Sequence, residues 1–154
     1  NGILKGYLHD GETARIFGVP PTGNARAYTY RDEPLIRMRN TYIMPGTIPP
    51  EEIIAATPDG FYLRSFGMGG QADANAEFMS GVGDAWKIEN GKLTRPVKGV
   101  TISGQAFAVL SSVDMVGSDF IMDTGAGHCG KHQPAKVDGG GPHLRCRMKI
   151  GGSL

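Results

Sequence analysis

Apolar and polar residues alternate most regularly between Ala85 and Val97. Asn90 and Gly91 stand in the middle of this segment, and this pair favours a type I′ turn because both central residues need positive φ. Alternation on either side of the turn places successive side chains on opposite faces of a strand. The segment therefore predicts a β-hairpin.

Three short segments carry the patterns of helices. Asp10 can cap the first helix and Gly18 can end it. A pair of prolines followed by two glutamates marks the start of the second. In the third, Phe107, Leu110 and Val113 recur every three residues, which predicts one buried face. The predicted helices cover Glu12–Phe17, Glu51–Ala56 and Gln105–Asp114.

The rest of the chain predicts short strands joined by turns. The stretch from Val19 to Asn40 is rich in proline and glycine, and such a long irregular stretch in a compact domain is often a functional loop. The predicted strands outside the hairpin cover Leu4–His9, Gly60–Phe66, Val116–Asp123 and His143–Ile150.

Glycine content changes the picture of the fold. The chain of 154 residues has 24 glycines and ten prolines, yet 40% of its residues are hydrophobic. Disordered chains have low hydrophobicity, so these glycines fit turns and bulges between short strands. We predict a mainly β (α+β) fold with a few short helices, in a single domain that covers residues 1–154.

The net charge, the apolar runs and the first residues of the chain indicate which partners and which location to expect. The net charge is +1 and no Lys/Arg run exceeds a pair, so no direct nucleic-acid partner is expected. No apolar run approaches the about 20 residues that cross a bilayer, so no membrane partner is expected either. Because the sequence begins at Asn1 without a signal-peptide pattern and without an initiating Met, we expect part of a longer cytoplasmic protein.

Potential metal ligands are concentrated in one glycine-flanked segment, expected to be a flexible loop. His128, Cys129 and His132 lie within five residues, and thiolate and imidazole are usual ligands of zinc or iron. Two other interpretations stay open on spacing alone: a buried free cysteine beside solvated histidines, or a cysteine nucleophile with a histidine base. Cys146, in a predicted strand, is expected to pack in the core, and two reduced thiols fit at least as well as a Cys129–Cys146 disulfide.

A second glycine-rich segment, Gly67–Asp73, resembles a phosphate-binding loop at first sight. It lacks the Lys-Ser/Thr pair of such a loop. A turn or bulge between strands accounts for it better. The chain also has no HExxH helix, so the metal-binding histidines of many metallopeptidases are missing.

Several short blocks occur in a fixed order along nearly the whole chain. They are Tyr7–Asp10, Pro21–Arg26, Arg37–Thr41, Gly69–Asp73, Ile88–Lys92, Pro96–Gly99, Cys129–Lys131, Gly141–Arg145 and Ile150–Gly152. Together they resemble the C-terminal domain of the TldD/PmbA family of bacterial peptidases, also labelled modulators of DNA gyrase. The Gly-Gly-Gln-x-Asp and Cys-Gly-Lys blocks are closer to the TldD branch, while Ala25 stands where a glycine is usual.

The resemblance implies a metal-dependent peptidase. An N-terminal domain, absent from this chain, would carry a His-Glu-x-x-x-His helix whose histidines bind zinc or iron. Cys129 would be the third protein ligand, whereas His128 and His132 match no family ligand. The chain alone is then expected to be inactive, because the catalytic residues lie upstream. A non-catalytic, PmbA-like partner or regulatory subunit is the alternative.

The resemblance also implies a fold, partners and substrates. The domain is expected to be a curved, barrel-like antiparallel sheet with small helices at its edge. Family members form homodimers or mixed dimers with a paralogue and cleave unfolded peptides or peptide leaders. An extended peptide can add to an exposed sheet edge, and glycines let its backbone approach closely. The candidate substrate-binding residues are Gly69, Gly70, Gln71 and Asp73.

Overall fold

Short strands dominate the fold. A computed structural model describes residues 3–65, 70 and 72–152, and in these residues strands are far more numerous than helices, which confirms the mainly β class with a few short helices. The strands are β1 (Ala25–Arg26), β2 (Leu35–Ile36), β3 (Thr41–Tyr42), β4 (Asp59–Leu63), β5 (Glu77–Gly81), β6 (Ala85–Glu89), β7 (Lys92–Val97), β8 (Thr101–Gln105), β9 (Met115–Val116), β10 (Ile121–Lys131), β11 (Gln133–Gly141), β12 (Leu144–Arg145) and β13 (Lys149–Gly151).

The three predicted helices are confirmed as α1 (Gly11–Phe17), α2 (Pro50–Ala55) and α3 (Ala106–Ser111). Asp10 caps α1 by accepting a hydrogen bond of 2.7 Å from the Thr13 N–H. Gly18 ends the helix with φ +65°, a conformation that costs glycine little. In the described part of the chain, no helix has the length and apolar character needed to cross a membrane.

The chain divides into two compact units. Unit one contains Pro45–Asp119 and Pro142–Leu154, and unit two contains Ile3–Met44 and Phe120–Gly141. Each unit is therefore built from segments that are far apart in sequence.

Unit one contains three small antiparallel sheets. Their strand orders are β4-β6-β7, β13-β8-β5 and β12-β9. The apolar core includes Val100, only 2% exposed, and burying a valine side chain contributes roughly 1.5–3 kcal/mol. The other members of this core cluster are Ala85 and Val97, with Phe61, Leu63, Val82 and Ile150 packed against it.

The predicted hairpin is confirmed in this unit. β6 and β7 pair antiparallel, with Glu89 opposite Lys92. Asn90 and Gly91 form the turn with φ of +51° and +72°. A Cβ on Gly91 would overlap the carbonyl oxygen of Ala55 at the end of α2, so the turn packs directly on that helix.

Unit two contains a three-stranded sheet built on a long β-hairpin, and a separate two-stranded sheet. β10 pairs antiparallel with β11, with a register shift between Asp123 and Gly127. β3 adds to the far side of β11 in parallel, with Thr41 opposite Gly139. β1 and β2 form a separate two-stranded sheet.

The expected barrel-like antiparallel sheet is not what the structure shows. The described strands form five sheets of two or three strands that do not close into a barrel. One pairing, between β3 and β11, is parallel. Eleven of the thirteen described strands have only two to six residues, so each can pair with its neighbours over only a short length.

Several predicted strands were wrong in extent or existence. Residues 4–9 pair with no strand in the described structure, and Leu4 is 70% exposed. The predicted strand at 116–123 is interrupted between β9 and β10, and the one at 143–150 between β12 and β13. The strand predicted at 60–66 is confirmed as β4, although its last position lies outside the described residues.

The predicted buried face of α3 is also wrong. Phe107 is 64% exposed and Leu110 is 57% exposed. Val109 lies on the packed side of the helix instead. Its side chain is so close to Gly104 that a Cβ built on this glycine would lie 2.9 Å from Val109 Cγ2. A spacing of three residues defines a stripe on a helix, but it does not say which stripe the neighbouring sheet covers.

Candidate functional site

Cys129 lies in a strand, not in the flexible loop that its glycine neighbours suggested. It is in β10 opposite Ala135 of β11. Ala135 is 2% exposed and Cys129 is half-buried, so the face that they share is turned towards the protein. The hairpin fixes the direction of the thiol.

The two neighbouring histidines do not join Cys129. His128 pairs with Lys136 and is exposed, and successive side chains in a strand point to opposite faces. His132 forms the one-residue turn between β10 and β11 with φ +61°. Among residues 3–65, 70 and 72–152, no group of three or more His, Cys, Asp or Glu side chains could hold a metal ion. Cys129 therefore lacks two further ligands among these residues.

The surroundings of Cys129 favour the thiolate form of its side chain. The pKa of this thiol is lowered first by a hydrogen bond from the Met38 backbone and then, against the effect of burial, by hydrogen bonding and charge from Arg37 and by the charge of Arg26. These donors stabilise the thiolate, which is the form that binds metals and reacts as a nucleophile. Sequence spacing gave no indication of these partners, because 92 positions separate Arg37 from Cys129.

Arg37 is the most deeply buried charged side chain of this unit. It is 1% exposed, and its Nη2 donates to the Cys129 carbonyl oxygen. Asn24, also buried, holds the Arg37 backbone: each residue donates a hydrogen bond of 2.9 Å to the carbonyl oxygen of the other. The Asn24 and Arg37 blocks noted in the sequence thus lie against the Cys129 strand.

Arg26 ties the same segment to the hairpin. Its Nη1 donates to the Met38 carbonyl oxygen at 2.7 Å and its Nη2 to the Lys136 carbonyl oxygen at 2.5 Å. Two donors of one planar guanidinium therefore hold the Met38 segment beside β11.

Cys146 differs from Cys129 in its surroundings. Both are free thiols, so the structure shows no disulfide between them. Burial, followed by the negative charge of Asp114, raises the pKa of Cys146. Cys146 is half-buried, and a raised pKa makes its thiol less reactive at neutral pH.

The opposite pKa shifts predict different alkylation profiles. In metal-free protein, the iodoacetamide reaction at Cys129 should reach half its plateau rate at a lower pH than in an unstructured cysteine peptide, because the thiolate persists to lower pH. Cys146 should require a higher pH than the same peptide. Mass spectrometry of the two labelled peptides across a pH series measures both, and the reverse order would contradict the assigned surroundings.

The predicted substrate residues fall in unit one or outside the described structure. Gly69 and Gln71 lie outside the described residues. Gly70 has φ +128°, and a Cβ on it would lie 2.8 Å from Ser80 Oγ. The Asp73 carboxylate accepts hydrogen bonds from the backbone N–H groups of Asn75 (2.8 Å) and Glu77 (2.9 Å), so it organises its own turn. A role in substrate binding stays a prediction for all four residues.

Relatives at the sequence level are metalloproteases. The chain is 38% identical over 154 residues to the zinc metalloprotease TldD homolog of Saccharolobus solfataricus, covering 99% of this chain and 34% of that protein. It is 39% identical over 156 residues to the metalloprotease TldD homolog of Haemophilus influenzae, covering 99% of this chain and 32% of the relative. The chain thus spans about a third of the length of these relatives.

Solved structures share the fold. TldE from Thermococcus kodakarensis superposes with a TM-score of 0.77 at 22% identity, over 98% of this chain and 32% of that chain. A Thermotoga maritima protein named as a candidate modulator of a DNA gyrase gives a TM-score of 0.70 at 26% identity, over 97% of this chain and 31% of that chain. The model of the PmbA/TldA metallopeptidase C-terminal domain matches residues 1–152. With the Cys129 block and its neighbours in the family's order, the chain belongs to the PmbA/TldA metallopeptidase C-terminal domain family.

Proposed function

We propose that this chain is the C-terminal domain of a metal-dependent peptidase and that Cys129 supplies one thiolate ligand to its metal. The observation that carries the proposal is the environment of the Cys129 sulfur, where the Met38 N–H and the Arg37 guanidinium favour the thiolate. A cysteine that only filled space in an apolar core would have the opposite shift, as Cys146 has.

The donor set fits zinc or iron. Both metals accept thiolate ligands, and a ligand that is already deprotonated binds without first releasing a proton. The described residues offer Cys129 without two further ligands, so the remaining ligands would come from the part of the protein that makes up the other two thirds of the relatives. A metal held there would supply Lewis acidity and the activation of water.

Neighbouring residues of the chain would position the ligand. The β10–β11 hairpin directs the thiol, Arg37 donates to the Cys129 carbonyl oxygen, and Asn24 fixes the Arg37 backbone. Arg37 Nε and Nη1 are buried and lack an acceptor among the described residues. Buried donors are normally satisfied, and these two are suited to an acceptor from the rest of the protein or from a peptide.

Chelation of the full-length protein tests this function. Treatment with 1,10-phenanthroline followed by desalting should abolish cleavage of an unfolded peptide, and adding back zinc or iron(II) should restore it, because the metal activates the attacking water. A circular dichroism spectrum before and after chelation controls for unfolding. Activity that survives complete metal removal would refute the proposal.

A non-catalytic partner subunit is the second candidate. It would show no cleavage in the metal-loaded state, although it could still associate with a paralogue. Formation of homodimers or mixed dimers remains a prediction of the family resemblance, as do unfolded peptides and peptide leaders as substrates.

A further inference from the structure

An open cavity lies in unit two, lined by Gly23, Arg26, Arg39 and Asn40. Its volume is about 550 Å³, within the range of pockets that hold small ligands. Of the four lining residues, two carry a guanidinium group and one carries an amide, so hydrogen-bond donors dominate the walls.

The side chains that line the cavity differ in how many of their donors already have a hydrogen-bond partner. Arg26 is fixed, since two of its nitrogens donate to backbone carbonyl oxygens. The Arg39 guanidinium has no hydrogen bond or ion pair with any residue that the structure describes. Asn40 Oδ1 accepts from the Asp138 N–H at 3.0 Å, which leaves its amide N–H groups as donors. Gly23 lies beside Arg39, since a Cβ built on this glycine would be 3.7 Å from Arg39 Nη1. Because glycine has no side chain, the space beside the guanidinium stays open.

Positive charge accumulates around this segment without a protein counter-ion. In unit two, the described residues form one carboxylate ion pair, Lys136 with Asp138. Arg26, Arg37 and Arg39 have none there. Arg37 and Arg39 flank Met38 in the sequence, and Arg26 donates to the Met38 carbonyl oxygen, so three arginines belong to one short segment and its contacts. Such an arrangement favours a bound anion.

The cavity wall and the Cys129 strand meet at the Arg37–Met38 segment. The carbonyl oxygen of Met38 accepts from Arg26, which lines the cavity. The preceding residue, Arg37, donates to the Cys129 carbonyl oxygen. A group bound in the cavity would therefore lie close to the proposed metal ligand.

We propose that this cavity binds a carboxylate of the peptide substrate, with Arg39 as the residue that sets the preference. The inference rests on the proposed peptidase function. Guanidinium groups bind carboxylates through paired, charge-assisted hydrogen bonds, and a peptide offers a carboxylate either at its C-terminus or on an Asp or Glu side chain. Arg26 is already held by the protein, so Arg39 is the donor that can reorient towards the ligand.

The test measures binding without cleavage. Fluorescence anisotropy with full-length protein carrying Cys129→Ala compares three versions of one labelled peptide: the free acid, the C-terminal amide, and the amide with one Glu added near its end. At least one carboxylate-bearing peptide should bind about five- to tenfold more tightly than the plain amide. The version that gains affinity identifies the source of the carboxylate.

Adding Arg39→Ala should reduce this preference to less than about twofold while leaving the affinity for the plain amide nearly unchanged. Arg39→Lys should retain part of it, because the charge remains but the paired geometry is lost. Arg31→Ala, which removes an equal charge from an exposed loop of the same unit, is the matched control and should behave like the parent. An undiminished preference in Arg39→Ala, or no preference in the parent protein, would overturn the proposal. The comparison needs no bound metal, so its failure is distinguishable from failure of the peptidase function.

Discussion

Replacing Cys129 by Ala in the full-length protein should remove most of the bound metal and nearly all peptidase activity. Losing a residue that only orients a metal ligand costs about 10–100-fold in affinity or activity, so losing the ligand itself should cost at least about a hundredfold. Metal content by mass spectrometry and cleavage rate of an unfolded peptide measure the two effects separately.

Cys146→Ala is the matched control for this experiment. It removes the other thiol of the chain, whose surroundings raise its pKa instead of lowering it, and metal content and activity should stay near those of the parent. If the Cys129 variant kept its metal, Cys129 would not be a ligand. If it lost activity but kept its metal, a role closer to substrate binding would be indicated.

The largest expected loss of stability follows Gly91→Ala. Gly91 has φ +72°, and the added methyl group would meet the carbonyl oxygen, carbonyl carbon and Cα of Ala55. The left-handed conformation costs an alanine about 1–2 kcal/mol, and forcing a methyl group into packed backbone adds about 1–3 kcal/mol. Urea denaturation should show a loss of about 3 kcal/mol.

Gly99→Ala separates the two contributions. Gly99 has nearly the same φ, +67°, but a Cβ there would meet nothing within 4 Å among the described residues. Its variant should lose about 1–2 kcal/mol from backbone strain alone. Equal losses at the two positions would show that α2 moves away from the turn at little cost.

Elements that depend on neighbouring residues were predicted well from the sequence. The hairpin at Asn90 and Gly91 follows from the preference of that pair for positive φ, and it formed as predicted. Asp10 and Gly18 likewise mark the start and the end of α1, as predicted. In these cases the residues that decide the structure are a few positions apart.

Features that depend on distant partners were not predictable from the same patterns. The apolar stripe of Phe107 and Leu110 gave the helix but not its buried side, since the sheet beneath it covers a different face. The parallel pairing of β3 with β11 joins residues almost a hundred positions apart. No local periodicity specifies such a pairing.

The candidate site shows both situations. Cys129 could be selected from the sequence, because its Cys-Gly-Lys block matches a family block. Its assignment to a loop failed because β-structure in this chain tolerates many glycines, as the run from Gly125 to Gly130 within β10 shows. Arg37 and Met38 also stood in a recognised block, but their interaction with Cys129 depends on tertiary packing alone.

The division of the chain has a consequence for synthesis on the ribosome. Unit two begins near Ile3 but needs Phe120–Gly141 to complete its sheet, and β3 pairs with β11 only once that last segment exists. Long-range pairings of this kind form slowly. Strand edges that stay unpaired in the meantime are prone to aggregation. Residues 3–44 must therefore leave the ribosome and wait through about 75 further residues, at roughly 5–20 residues per second, before the Cys129 strand can reach Arg37. Assembly of the Cys129 environment is thus expected to be a late event in the folding of this domain.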